Sequence, residues 1–275
     1  CSSDLYNSYL PEIAAPEDQD KVSAKGFMMG YIGSIILQII CFVLVLTPNT
    51  FGITTGKASQ ISFLMVGIWW WGFGQLALIR LPKGNINEQK EKRNLLLGGY
   101  QELNKVWQQI KLMPVLKSYL VAFFFYNMGT QTVMYVATLF GNSELHLDTS
   151  VLIAIVLIIQ FVAIAGAYLF ASLSKRFGNI TALTISILAW IGVAIGAYFD
   201  DKRFGINEQN MFIGIAVIVG LVMGGIQALS RSTYSKLLPE TIDHASYFSF
   251  YDVCDKMGTV LGTLAFGVIN ELTGS

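Results

Sequence analysis

Near the head of the last long apolar run, FSFYDVCDK places Asp252, Asp255 and Lys256 at i, i+3 and i+4. A helix there puts all three on one face, with Phe248 and Tyr251 close by. Acid before base at i, i+4 is the favourable order, so Asp252 is expected to pair with Lys256 and Asp255 to be left as a surplus charge. Charges in a hydrocarbon run are expensive, and an acid kept there either forms a structural ion pair or handles an ion or proton. The set lies about two helical turns from the preceding loop, so Lys256 can also reach back toward headgroups.

A second set is uncharged. In YNMGTQTVMYVAT, Asn127, Gln131 and Thr138 fall along one helical stripe, with Tyr126 and Thr130 beside it. Such a stripe fits either a wet cavity or a seam of interhelical hydrogen bonds worth about 1 kcal/mol each. Gln227, beside Gly224 and Gly225, is placed to reach a pathway, whereas Gln38, Gln75 and Gln160 are isolated and read as interhelical contacts. The expected solute contacts are therefore Asn127, Thr130, Gln131 and Gln227. Asp252 and Asp255 are expected to bind a proton or to pair with Lys256.

Enzymatic chemistry lacks its parts. The two histidines, His146 and His244, both fall in loops, and no nucleophile elbow, His-Glu-x-x-His helix or phosphate loop is present. Cys1, Cys41 and Cys254 have neither metal nor disulfide spacing, so no metal and no cofactor is implied. Zero net charge and the lack of a basic tract interleaved with aromatics argue against a nucleic-acid partner.

The elements that carry these residues follow from composition. The chain is 53% hydrophobic and 13% charged, against about 25% charged in soluble domains, and its mean hydropathy is +0.55. Seven apolar runs are long enough to cross hydrocarbon, at approximately 26–46, 61–81, 116–140, 150–173, 180–199, 211–229 and 247–270. The expected fold is all-α, a polytopic helical membrane protein with seven spans. Lys and Arg gather in alternate loops, before the first span (Lys21, Lys25), after the second, after the fourth (Lys175, Arg176) and after the sixth (Arg231, Lys236). The opposite loops hold only Lys57, Lys202 and Arg203, which places residues 1–25 and the loop after the second span in the cytoplasm. The chain opens CSSDLYNSYLPEIA, without Met or an apolar leader, and reads as a fragment.

The widest interruption, 82–115, divides 1–81 with two spans from 116–275 with five. Within it Leu103, Val106, Trp107 and Ile110 recur at i, i+3, i+4 and i+7, and Pro114 ends the helix. This amphipathic helix either lies at the membrane interface or packs on the cytoplasmic ends of its neighbours. Gly26, Gly30 and Ser34 form one small-residue face and Gly220 with Gly224 another, each suited to close helix contact. Trp69, Trp70 and Trp71 fall mid-span, as core packing or as an aromatic wall facing solute.

Four stretches, YNSYLPEIA at 6–14, FFFYNMGTQT at 123–132, GGIQALSRS at 224–232 and FSFYDVCDK at 248–256, are together similar to the vacuole-effluxer-like branch of the major facilitator superfamily. That branch comprises bacterial proteins related to a yeast autophagy protein implicated in amino-acid efflux. FASLSKRFG also resembles the superfamily's Gly-x-x-x-Asp-Arg-x-Gly loop, with Ala171 near the glycine position and Ser174 where the acid is usual. The resemblance implies twelve helices in two halves, with four before Cys1 and one after Ser275, and makes 82–115 the linker between halves. Where relatives often carry an acid after Tyr126 and Asn127 this chain has Met128, which shifts proton coupling onto Asp252 and Asp255.

The function so implied is alternating-access transport of a small polar solute, amino acids among the candidates, with protons as a coupling ion and membrane lipid as surroundings, in a bacterial inner membrane. A scaffold or receptor that keeps the fold without transporting is the alternative, and a membrane enzyme a third. A hydrated polar chamber separates the first from the second.

Overall fold

The computed structural model describes residues 7–80, 95–143, 149–198, 208–239 and 243–273; the side chains of 95–97, 137–143, 149, 197–198 and 208–212 lie outside that description. The expected positions of Cys1, Lys83, His146, Lys202 and Arg203 are thus outside the described residues, as is the Thr138 side chain. Among the described residues every regular element is helical: α1 (Leu10–Ile13), α2 (Gln19–Leu46), a 3-10 turn (Pro48–Phe51), α3 (Thr55–Arg80), α4 (Leu95–Lys111), α5 (Pro114–Ser143), α6 (Thr149–Phe177), α7 (Asn179–Tyr198), α8 (Glu208–Leu237) and α9 (His244–Thr273). Each of the seven apolar runs falls on one long helix, residues 81 and 199 at the ends of two runs lying outside the described residues. His244, expected in a loop, opens α9.

Five of these helices, α2, α3, α6, α7 and α8, are both long and apolar enough to cross a membrane. The other two, α5 and α9, are 30 residues each. They hold Asn127, Gln131, Asp252 and Asp255, which dilute their apolar character. Large side chains such as Phe63, Leu64 and Ile79 on α3 and Leu264 and Leu272 on α9 are exposed, as lipid-facing surface requires.

Contacts divide the chain into two compact units, Cys1–Met29 with Leu95–Ser275, and Gly30–Asn94. In the smaller unit Trp69 packs on Phe73 at 4.8 Å, and its indole nitrogen faces Gly33. Trp70 and Trp71 are exposed within this unit, so among its described residues the triplet packs only through Trp69. Gly30 likewise has no neighbour within contact distance, and the small-residue face expected around it meets nothing there.

In the larger unit α6 and α8 lie in close contact, as do α5 and α9. A Cβ added at Gly220 would meet the Ile159 carbonyl at 2.7 Å, and one at Gly224 would overlap the Ala163 carbonyl, as one at Gly166 would the Leu221 carbonyl. The expected contact at Gly220 and Gly224 is therefore present. Gly258 and Gly262 do the same for α9 against Phe124, Met128 and Thr132 of α5. Gly178, at φ +87°, adopts the left-handed backbone that ends α6, donating its N–H to Ser174 O at 2.8 Å, and α7 begins one residue later.

The amphipathic helix α4 packs on α5 and α9, the second of its two expected placements. Val106 and Ile110 are fully buried, Trp107 stacks on Phe250 at 5.7 Å, and the Tyr247 hydroxyl donates to Gln109 Oε1 at 3.0 Å. At one end of the unit, Asp20 in the first turn of α2 accepts from Lys236 Nζ at 2.8 Å, from Asn179 Nδ2 at 2.7 Å and from the Ser174 hydroxyl. Asp20 and Lys236 sit at opposite helix termini, each favoured by the local dipole. This cluster ties α2 to α6, α7 and α8. The Ser174 position lacks the acid of the loop it resembles, and Asp20 brings a carboxylate there from another helix.

Replacing Gly224 by Val is expected to cost about 1–3 kcal/mol through overpacking against α6. A melt of the purified full-length protein in detergent should fall by several degrees for Gly224→Val and hardly change for Gly30→Val.

Candidate solute-binding cavity

The backbone bonds of a long helix satisfy themselves, so its side chains alone decide what a polar stripe does. Asn127 and Gln131, one turn apart on α5, both turn toward Asp255 on α9. Asn127 Nδ2 donates to Asp255 Oδ1 at 2.9 Å and to the Asp255 carbonyl at 3.3 Å, and Gln131 Nε2 reaches Oδ1 at 3.4 Å. The other carboxylate oxygen accepts from Lys256 Nζ at 2.7 Å. The expected ion pair is thereby corrected, because the acid read as surplus, Asp255, holds Lys256. The lysine side chain runs outward and is 69% exposed; it bonds the carboxylate of its own neighbour Asp255, with Asp252 close enough to act on it electrostatically.

These groups open on a cavity of about 180 Å³, room for several waters. From α5 it is lined by Phe123, Tyr126, Asn127, Thr130, Gln131 and Met134; from α8 by Met223, Ile226, Gln227, Ser230 and Arg231. Tyr251, Asp252 and Asp255 of α9, Trp190 of α7, Phe27 of α2 and Asn7 complete the wall. Six of the seven expected site residues, Asn127, Thr130, Gln131, Gln227, Asp252 and Asp255, thus meet on one cavity. Lys256 stands outside it and touches it through Asp255. Thr130 donates its hydroxyl to the Asn127 carbonyl at 3.1 Å, which orients both residues.

The wall is stiffened from behind. Phe123 stacks on Tyr251 at 4.2 Å, and Tyr251 on Tyr234 at 4.7 Å. The Tyr119 hydroxyl donates to the Ser230 carbonyl at 2.7 Å, and the hydroxyls of Tyr126 and Ser230 bond at the same distance. Met128, where the resemblance leads one to expect an acid, faces Gly262 in the α5–α9 contact, a site that admits no buried charge without a partner.

Arg231, a loop cation by hydropathy, is instead a buried residue of α8, 6% exposed. Its Nε and Nη2 donate to the hydroxyl and carbonyl of Ser23 at 3.1 and 3.0 Å, Nη1 donates to Asn7 Oδ1 at 2.9 Å, and the Phe27 ring lies 4.6 Å from the guanidinium carbon. The signal was in the sequence: no Gly or Pro interrupts 226–238, so nothing ends the helix at Gln227.

Fold and cavity together define a polytopic helical membrane protein in which polar groups of several helices converge on one cavity. The chain belongs to the family described as vacuole effluxer Atg22 like, whose profile matches residues 5–275. It is 31% identical over 273 residues to the uncharacterized MFS-type transporter YxiO of Bacillus subtilis strain 168, covering 98% of this chain and 61% of that protein. It is 29% identical to autophagy-related protein 22 of Kluyveromyces lactis over 97% of this chain and 58% of the relative, and 26% identical to that of Saccharomyces cerevisiae strain S288c over 92% and 52%. The chain thus spans between half and two thirds of the length of these relatives. No solved structure matches it. All four stretches that carry the resemblance contribute to the cavity wall, through Asn7, Asn127, Arg231 and Asp255 among others.

Removing the amide that serves Asp255 should be felt at Asp255 alone. In a double-mutant cycle of Asn127→Leu and Asp255→Asn, read by thermal melts of the full-length protein, the expected coupling is about 1 kcal/mol. Additive losses would show that the bond carries no energy.

Proposed function

We propose that the full-length protein moves a small polar solute, amino acids among the candidates, across a membrane by alternating access, with the cavity as its solute site and protons as the coupling ion. One observation carries the reading. In a bundle whose outer surface is apolar, amides, hydroxyls, carboxylates and a guanidinium from α5, α8, α9 and residue 7 are gathered on one cavity. Lipid supplies no partners for such groups, so a wet chamber is the environment in which they are stable. A fold retained only as a scaffold has no use for that chamber and would fill it. The membership of the chain in an effluxer-like family supports the same direction.

In this reading Asn127, Thr130, Gln131 and Gln227 contact the solute. Asp255 is held to α5 by two amides and is paired with Lys256, so adding a proton to it weakens charge-assisted bonds between α5 and α9. That gives a proton a mechanical consequence. Residues 82–115 serve as the connection between two transporter halves, and the Lys and Arg pattern puts that connection and residues 1–25 in the cytoplasm of a bacterial cell, with the protein in its inner membrane.

The reading is tested with full-length protein in liposomes, following amino-acid flux with and without a pH gradient. Asp252→Asn and Asp255→Asn are each expected to reduce gradient-driven accumulation at least about tenfold, a loss of ~1.4 kcal/mol or more in coupling, while leaving exchange at equal pH measurable. Unchanged gradient-driven flux in both variants would contradict the coupling assignment.

A further inference from the structure

On the α5 wall of the cavity the hydrogens can be followed one by one. The Ser230 hydroxyl donates to the Ile226 carbonyl one turn back, and a carbonyl only accepts. Ser230 therefore has no hydrogen for Tyr126, and in the 2.7 Å bond between their hydroxyls Tyr126 is the donor. Tyr119 spends its own hydrogen on the Ser230 carbonyl, and Thr130 gives its hydrogen to the Asn127 carbonyl. Asn127 turns its amide nitrogen to Asp255, two hydrogens for two acceptors, Oδ1 and the backbone carbonyl. Gln131 turns its nitrogen to the same carboxylate, because an ionised carboxylate takes hydrogens and offers none.

Tyr126, Asn127 and Thr130 thus line the cavity with no hydrogen left to give. What they keep is lone pairs, on a phenol, an amide and a hydroxyl oxygen, with Gln131 Oε1 and the carboxylates of Asp252 and Asp255 on the same wall. This one-sidedness needs no spare charge, since Asp255 already holds Lys256 and Asp252 acts on the same lysine. It is set by the direction of the bonds. The rings of Phe123, Tyr251 and Trp190 border the same space, and ring faces also attract cations.

We infer that the α5–α9 wall receives a protonated amine of the solute, so that a primary ammonium group defines the transported class, taking the cavity as the solute site. An ammonium complements such a wall, with three donors and no acceptor. A hydroxyl brings one donor and lone pairs of its own, and a carboxylate brings lone pairs alone. The cavity, at about 180 Å³, exceeds what a single ion fills, and Met134, Met223 and Ile226 give the rest of it apolar surface, so the ammonium is carried on an organic body.

The test is calorimetric binding to full-length protein in nanodiscs, at about pH 6.5, below the α-amino range. Two pairs of probes differ only in the amine: L-leucine against 4-methylpentanoate, and L-leucinamide against 4-methylpentanamide. In wild type the amine-bearing member of each pair is expected to bind at least about tenfold tighter, because its absence leaves the oxygens of the wall unmet. Thr130→Val and Gln131→Leu, which remove acceptors and little volume, should each cut both ratios at least about threefold, with melts recorded alongside. If these side chains serve only the packing of α5 on α9, the melts fall while both ratios stay as in wild type, and the assignment is overturned. Displacement of leucinamide by sodium chloride but not by choline chloride gives the wall to an inorganic cation and overturns it as well. Equal affinity within each pair in wild type overturns the amine but leaves the cavity as the solute site. Failure of all four probes to bind overturns both.

Discussion

Everything in this bundle depends on the lack of an alternative hydrogen-bond partner in lipid. A carboxylate in water is satisfied wherever it points, whereas one in a hydrocarbon layer must be met by protein or enclosed water. Asp255 is met from three sides, by Asn127, Gln131 and Lys256. That constraint selects the rotation of α9 about its axis and its contact with α5. Gly258 and Gly262 then allow the two backbones to approach closely enough for the amides to reach. The small-residue contact and the polar contact are therefore parts of one requirement.

The same logic separates the two kinds of helix. α3 carries an exposed apolar surface along its length and no buried stretch in its apolar window. α5 and α9 fall short on apolarity because one face of each is reserved for the chamber. Behind that face, Phe123, Tyr251 and Tyr234 stack and Phe248 meets Tyr234 edge-on, tying α5, α8 and α9 into a stiff unit, and hydroxyls of Tyr119 and Tyr126 reach Ser230. A rigid wall with a few placed polar groups is what selective recognition of a small solute needs.

Much of this was legible in the sequence because the signals were periodic. Apolar run length placed all seven long helices, and helical spacing put Asn127 beside Gln131 and Asp252 beside Asp255. What escaped was set by side-chain reach and by where helices end. Spacing alone favoured Asp252 as the partner of Lys256, but rotamers and the amides of α5 made Asp255 the hub. Arg231 and Lys236 were counted with a loop because hydropathy drops after Gln227, although the helix continues to Leu237. The Asp20 cluster was invisible for another reason. Asp20 lies 154 or more residues from each of its partners on α6 to α8, and no local pattern links it to them.

The central claim is that the Asn127, Gln131 and Gln227 face borders a passage open to water while α3 faces lipid. Its most direct measurement is thiol accessibility in full-length protein lacking native cysteines, with single replacements Gln131→Cys, Gln227→Cys and Phe63→Cys. A charged, water-soluble thiol reagent is predicted to modify the first two in the membrane and to leave the third unmodified. Labelling at Phe63→Cys with none at Gln131→Cys and Gln227→Cys would contradict the account.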